Sequence, residues 1–155
     1  MDKIIVTALL LIAGATSAVL MFNSIYPAMS QSTQAMVGME RRIDEQMKSE
    51  VQIIHAAQSS TDNTVLIWVK NVGSIRVIGV NTADLFFGPQ GAFTRIPYGG
   101  NANPHWVYSV QNASDWDPTA TIQITIVGYS PLNPGQYFCK FVLPNGVVSD
   151  YYFSW

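Results

Sequence analysis

The chain has 155 residues, a net charge of −2 and 12% charged side chains, against a usual share of about 25%. That balance supplies no basic field for nucleic acid, and a lone cysteine, Cys139, excludes an intrachain disulfide. The charges are also uneven. Glu40, Arg41, Arg42, Asp44, Glu45, Lys48 and Glu50 crowd one stretch, and the remainder leans on Ser, Thr, Asn and Gln for solubility, as suits a protein whose faces are covered by neighbours.

Met1-Asp2-Lys3 is followed by an uncharged run from Ile4 to Phe22, with apolar character persisting to about Met29. A helix from Ile4 to Ile25 would be about 33 Å long, matching a hydrocarbon core of about 30 Å. Ile4 to Ile12 could serve as the apolar region of a signal peptide, with Ala13-Gly14-Ala15 as its cleavage site. The run continues through Phe22, however, too far for an ordinary signal, so the segment is expected to be retained. Lys3 and the α-amine favour a cytoplasmic N-terminus, while Arg41 and Arg42 beyond the segment weigh the other way.

Past the apolar run, Met36, Met39, Ile43, Met47, Val51 and Ile54 recur at an average of 3.6 residues and form one helical stripe. The charged cluster falls between them, with Arg41/Glu45 and Asp44/Lys48 as i,i+4 pairs. Pro27 is expected to kink this helix, and Gly38 is a second weak point. Gly14 and Ala18 form a small-xxx-small pair that permits close helix approach. The helix–helix assembly set is therefore Ile4, Leu11, Gly14, Ala18, Phe22, Met36, Met39, Ile43 and Met47. Because Glu50-Val51-Gln52-Ile53 also alternates with period two, the helix is expected to end near Ser49, with the first strand at Val51 to Ala57. Residues 1–49 are thus the helical region and 50–155 the globular domain.

Strands are predicted at Thr64–Val69, Arg76–Val80, Asp84–Phe87, Phe93–Ile96, Trp106–Gln111, Thr121–Val127, Gln136–Leu143 and Val147–Trp155. Asn71 to Ser74, Gly88 to Gly91 and Pro97 to Pro104 read as turns and loops. Pro144-Asn145-Gly146 is a hairpin signal. About eight short strands at regular spacing indicate an all-β sandwich. Tyr137, two residues before Cys139, has the placement of a tyrosine corner at the start of an immunoglobulin strand F.

Little supports a catalytic or cofactor site. His55 and His105 stand in no metal-ligand spacing, and His105 falls in an Asn/Pro/Gly loop where solvent would surround it. Asp115 and Asp117 read as turn-forming residues ahead of Pro118. No nucleophile-elbow or phosphate-loop motif occurs. No enzymatic activity, cofactor or metal is expected. Trp68, Trp106, Trp116 and Trp155 are expected in core and interface, Cys139 as a buried small hydrophobe. Asn112-Ala113-Ser114 is the one glycosylation sequon.

A long apolar N-terminal helix, an amphipathic continuation and one immunoglobulin-like sandwich together resemble the archaellin superfamily. That superfamily comprises the filament subunits of the archaeal rotary flagellum (the archaellum) and the accessory stator-type proteins FlaF and FlaG. Residues 50–56, Glu-Val-Gln-Ile-Ile-His-Ala, and 65–73, Val-Leu-Ile-Trp-Val-Lys-Asn-Val-Gly, look like the first two strands of that domain. Asp84-Leu85-Phe86-Phe87-Gly88 and Ile96-Pro97-Tyr98 look like the accessory branch. Pilin-like precursors carry a short basic leader before the apolar run, whereas here only Met1-Asp2-Lys3 precedes Ile4.

The resemblance implies a structural subunit of an archaellum or pilus-like filament for motility. Such a subunit is membrane-inserted before assembly and then homo-oligomerises at the cell surface through its N-terminal helix. The alternative it implies is a membrane-anchored stator or accessory protein binding the surface layer.

Overall fold

The computed structural model describes residues 2–59, 64–129 and 133–154; Met1 and Trp155, the latter counted above among the strand aromatics, lie outside them. The chain divides into two units, Met1–Arg42 and Ile43–Trp155.

One α-helix, α1, spans Asp2–Lys48 and runs through Pro27 and Gly38. Its hydroxyl side chains turn back onto its own backbone. Thr16 Oγ1 donates to Ile12 O at 3.0 Å, Ser24 Oγ to Met21 O at 3.0 Å and Thr33 Oγ1 to Met29 O at 2.9 Å. Such back-bonding to the preceding turn satisfies a helical hydroxyl without water. Beyond the apolar run, Lys48 Nζ lies 2.8 Å from Asp44 Oδ2. No described residue of α1 is buried in the single chain.

Eight strands follow: β1 Val51–Gln58, β2 Thr64–Asn71, β3 Asp84–Pro89, β4 Thr94–Ile96, β5 His105–Gln111, β6 Thr121–Val127, β7 Gln136–Val142 and β8 Val148–Ser154. They form two antiparallel four-stranded sheets, ordered β1-β2-β6-β5 and β4-β3-β7-β8. This is the ABED order of an immunoglobulin domain facing a sheet that contains C, F and G. Alternation builds the core. Val65, Ile67 and Val69 of β2 and Ile122, Ile124 and Ile126 of β6 all point inward and are fully buried. They oppose Leu85, Phe87, Cys139 and Phe141 of the other sheet, with Trp106 at the side. The sheets also meet at one edge, where Ile53 N donates to Ser149 Oγ at 3.0 Å.

Tyr137 is buried, and its hydroxyl accepts a hydrogen bond from Asn133 N, four residues upstream, at 3.0 Å. This is the bond of a tyrosine corner, and β7 stands in the strand F position. Burial also raises the Cys139 thiol pKa well above its usual value.

The structure corrects three expectations. Arg76–Val80 is not a strand: Val77 N bonds to Trp116 O at 3.1 Å, Gly79 takes a left-handed φ of 71°, and Val80–Thr82 forms a 3-10 turn. Backbone groups tied this way cannot join a ladder. The helical stripe stops at Met47, since Val51 is a buried residue of β1 and Ile54 lies outward at a bulge between Ile53 and His55. His105 is half-buried as the first residue of β5, with its Nδ1 2.8 Å from Ala102 O, rather than free in a loop.

Candidate functional site

The nine assembly residues all fall on α1, and they remain uncovered in the single chain. Ile4, Leu11 and Phe22 are exposed, a Cβ at Gly14 would meet nothing within 4 Å beyond the helix's own neighbouring backbone, and Ala18 is exposed. Met36 is 72% exposed, Met39 66%, Ile43 47% and Met47 82%. Large apolar groups left in this state are unsatisfied in water. α1 is long and apolar enough to cross a membrane. About 20 residues suffice for a bilayer, so a helix of 47 residues extends well beyond one. Asn112, just after β5, stands apart from this set; it is exposed and has a left-handed φ of 57°.

The last turn of α1 is joined to the sandwich by a set of hydrogen bonds at one end of the two sheets. Ser49 N closes the helix onto Glu45 O at 2.9 Å. Lys48 O would be one of the orphan carbonyls of a helix C-terminus, and it accepts Ser74 N at 2.9 Å. Glu50 O accepts both Val72 N and Gly73 N at 2.9 Å. From the β7–β8 hairpin, Asn145 Nδ2 donates to Ser49 Oγ at 2.8 Å. Residues 48–50 are therefore held on two sides, by the loop after β2 and by the last hairpin.

Gly73 allows that close approach. A Cβ there would lie 2.5 Å from both Glu50 N and Lys48 O, which are backbone atoms. Asn71 holds the loop from inside. It is fully buried, and its amide donates to Ile75 O at 2.9 Å and Trp116 O at 3.2 Å while its Oδ1 accepts Gly73 N at 3.0 Å. Its backbone also bonds to Ala120 and Thr119. A buried amide with its groups paired stiffens its surroundings.

Outside this hub, Arg76 Nε lies 2.7 Å from Asp117 Oδ1 and its Nη1 3.3 Å from Asp115 Oδ2. The hydrogen bond to Asp117 and then the charge of Asp115 raise the Arg76 pKa. The two aspartates are thus engaged by a cation. Among the described residues no cluster of His, Cys, Asp and Glu could hold a metal. Of the tryptophans, Trp106 and Trp116 are buried in the core and Trp68 is half-buried beside His55, while Phe138 contacts the exposed Phe93 and Tyr152 through ring centroids 4.7 and 4.8 Å apart.

Sequence reading passes over Asn71, Gly73 and Asn145 as joint residues because it takes them as turn formers. The only signal that could have found them is the Gly two residues after a strand-ending Asn.

No family model matches the chain. A protein of undescribed function from Archaeoglobus fulgidus is 25% identical over 162 residues, covering 99% of this chain and 98% of the relative. Among solved structures, the archaellum periplasmic stator protein FlaG from Sulfolobus acidocaldarius superposes with a TM-score of 0.61 at 27% identity, covering 68% of this chain and 99% of that one. A chain of the periplasmic stator complex of FlaF and FlaG from the same organism gives 0.58 at 29% identity, covering 66% and 87%. The fold is thus a long apolar helix followed by a FlaG-like β-sandwich, and both of these similar solved structures are of archaellum proteins.

Proposed function

We propose that this chain is a membrane-anchored accessory protein of the archaellum motor, of the stator type. α1 holds it in the membrane, and the sandwich outside binds protein, either the surface layer or a second stator component. The observation that carries this reading is the likeness to FlaG, which covers 99% of that solved chain, combined with a helix of membrane-crossing length. The filament-subunit reading has less support, because the two similar solved structures named above are of stator proteins.

A stator works by holding its position against torque. That task needs two attachments and a stiff path between them. The hydrogen bonds at Lys48, Ser49 and Glu50 tie the last turn of α1 to the sandwich, so load reaching the domain meets a hydrogen-bonded joint there rather than a slack tether. In this reading the chain acts by binding and bracing, with no chemical step and no cofactor.

The test is sedimentation of the sandwich with isolated surface-layer protein, and separately with a FlaF-type partner. Saturable binding with a Kd of about 1 µM or tighter is expected for one of them. Failure to bind either would contradict the reading.

A further inference from the structure

We propose that α1 between Ile25 and Ile43 pairs with the same segment of a second copy of this chain as a parallel, in-register coiled coil. The proposal deepens the anchored reading above and rests on it for the shared orientation of the two helices. Ile25, Met29, Ser32, Met36, Met39 and Ile43 follow one another at spacings of 4, 3, 4, 3 and 4. That alternation of four and three is the a/d spacing of a heptad seam, the repeat that brings one face of a helix against a partner. A bilayer imposes no such period, and most of this segment lies beyond the length that a bilayer needs.

Charge placement agrees with the seam. Glu40, Arg41, Arg42, Asp44, Glu45 and Lys48 all fall outside the six seam positions. Glu40 and Arg42 flank the seam, and across a parallel pair they face Ala35 and Met47 of the other copy, so no like charges meet. Pro27 takes the position farthest from the seam, where its missing N–H and ring are turned away from the partner. Ser32 is the one polar seam residue. Its hydroxyl is both donor and acceptor, so two copies in register can pair hydroxyl to hydroxyl. A slip of one heptad would set it against Ile25 or Met39 instead. Anchored chains inserted the same way are restricted to the parallel arrangement.

The seam ends where the joint begins. Gln46 would occupy the next seam position, but its side-chain amide lies beside the last hairpin, 3.6 Å from a Cβ built on Gly146. The pairing region therefore stops at Ile43.

Cysteine cross-linking of the full chain in liposomes tests this. Cys139 is fully buried, so an introduced thiol is the reactive one. Met36→Cys, Met39→Cys and Ile43→Cys should give disulfide-linked homodimers at least about tenfold more efficiently than Gly38→Cys, Arg41→Cys and Glu45→Cys, as knobs on one face do. Adding Met39→Asp to Met36→Cys should abolish the dimer while leaving the chain in the liposome pellet. Equal cross-linking around the helix, a maximum on the face of Arg41, or a monomeric chain in the pellet would overturn the proposal. Absence of the chain from the pellet before oxidation would instead overturn the anchored reading beneath it.

Discussion

The helix and the sandwich solve opposite problems. In the sandwich, the large apolar side chains of β2, β3, β6 and β7 that face inward are at or near complete burial within a single copy. In α1 none of the described residues is buried, although its N-terminal half is almost wholly apolar. Folding of one chain therefore satisfies the domain and leaves the helix face open. The domain finds its environment in its own second sheet, whereas the single chain offers α1 none; in the reading proposed above, lipid covers its first part and a second helix the rest. This asymmetry separates what the chain needs in order to fold from what it needs in order to work.

Truncating a core residue of the sandwich should have the largest effect. Phe87→Ala or Trp106→Ala in residues 43–155 should cost about 3–5 kcal/mol, read by urea denaturation. Met36→Ala or Met39→Ala in a monomeric, detergent-held chain should change domain stability by less than about 0.5 kcal/mol. The cost of those methionines should emerge only when copies associate. A comparable loss from both groups would mean that the helix face is covered by the chain's own domain.

Gly73→Ala probes the boundary between the two regions. The added methyl meets backbone at Lys48 and Glu50, which can move only if the joint opens. A destabilisation of about 1–3 kcal/mol is expected, with faster hydrogen exchange at the Val72 and Ser74 amides. Unchanged exchange at those amides would show that they do not hold the helix end.

Arg76→Ala should have the smallest effect on stability. Its ion pairs with Asp115 and Asp117 are about half exposed, and pairs of that kind contribute about 0–1 kcal/mol. A larger loss, measured by the same denaturation, would place Arg76 within the rigid end of the sandwich rather than on its surface.

Much of the fold is legible in the sequence because alternation is a local signal. Gln123 and Thr125 between Ile122, Ile124 and Ile126 mark β6 without reference to anything else. The same rule misplaces Arg76–Val80, whose alternation is real but whose backbone is claimed by Trp116, some forty positions away. At Val51, periods of two and 3.6 coincide, so the helical stripe reads on past the true end of the helix. The joint is not legible. Ser74 reaches Lys48 across 26 positions and Asn145 reaches Ser49 across 96, and no local pattern encodes such a meeting. The candidate assembly face is readable as a face, while what covers it depends on a second molecule.

The central claim is that the chain stays anchored beside the filament rather than becoming part of it. Cells can be sheared to release their surface filaments, and the chain quantified by mass spectrometry in the filament and membrane fractions. The account predicts that the chain remains with the membrane after shearing and is released by detergent. Recovery of the chain in purified filaments, at a stoichiometry matching their main subunit, would contradict it.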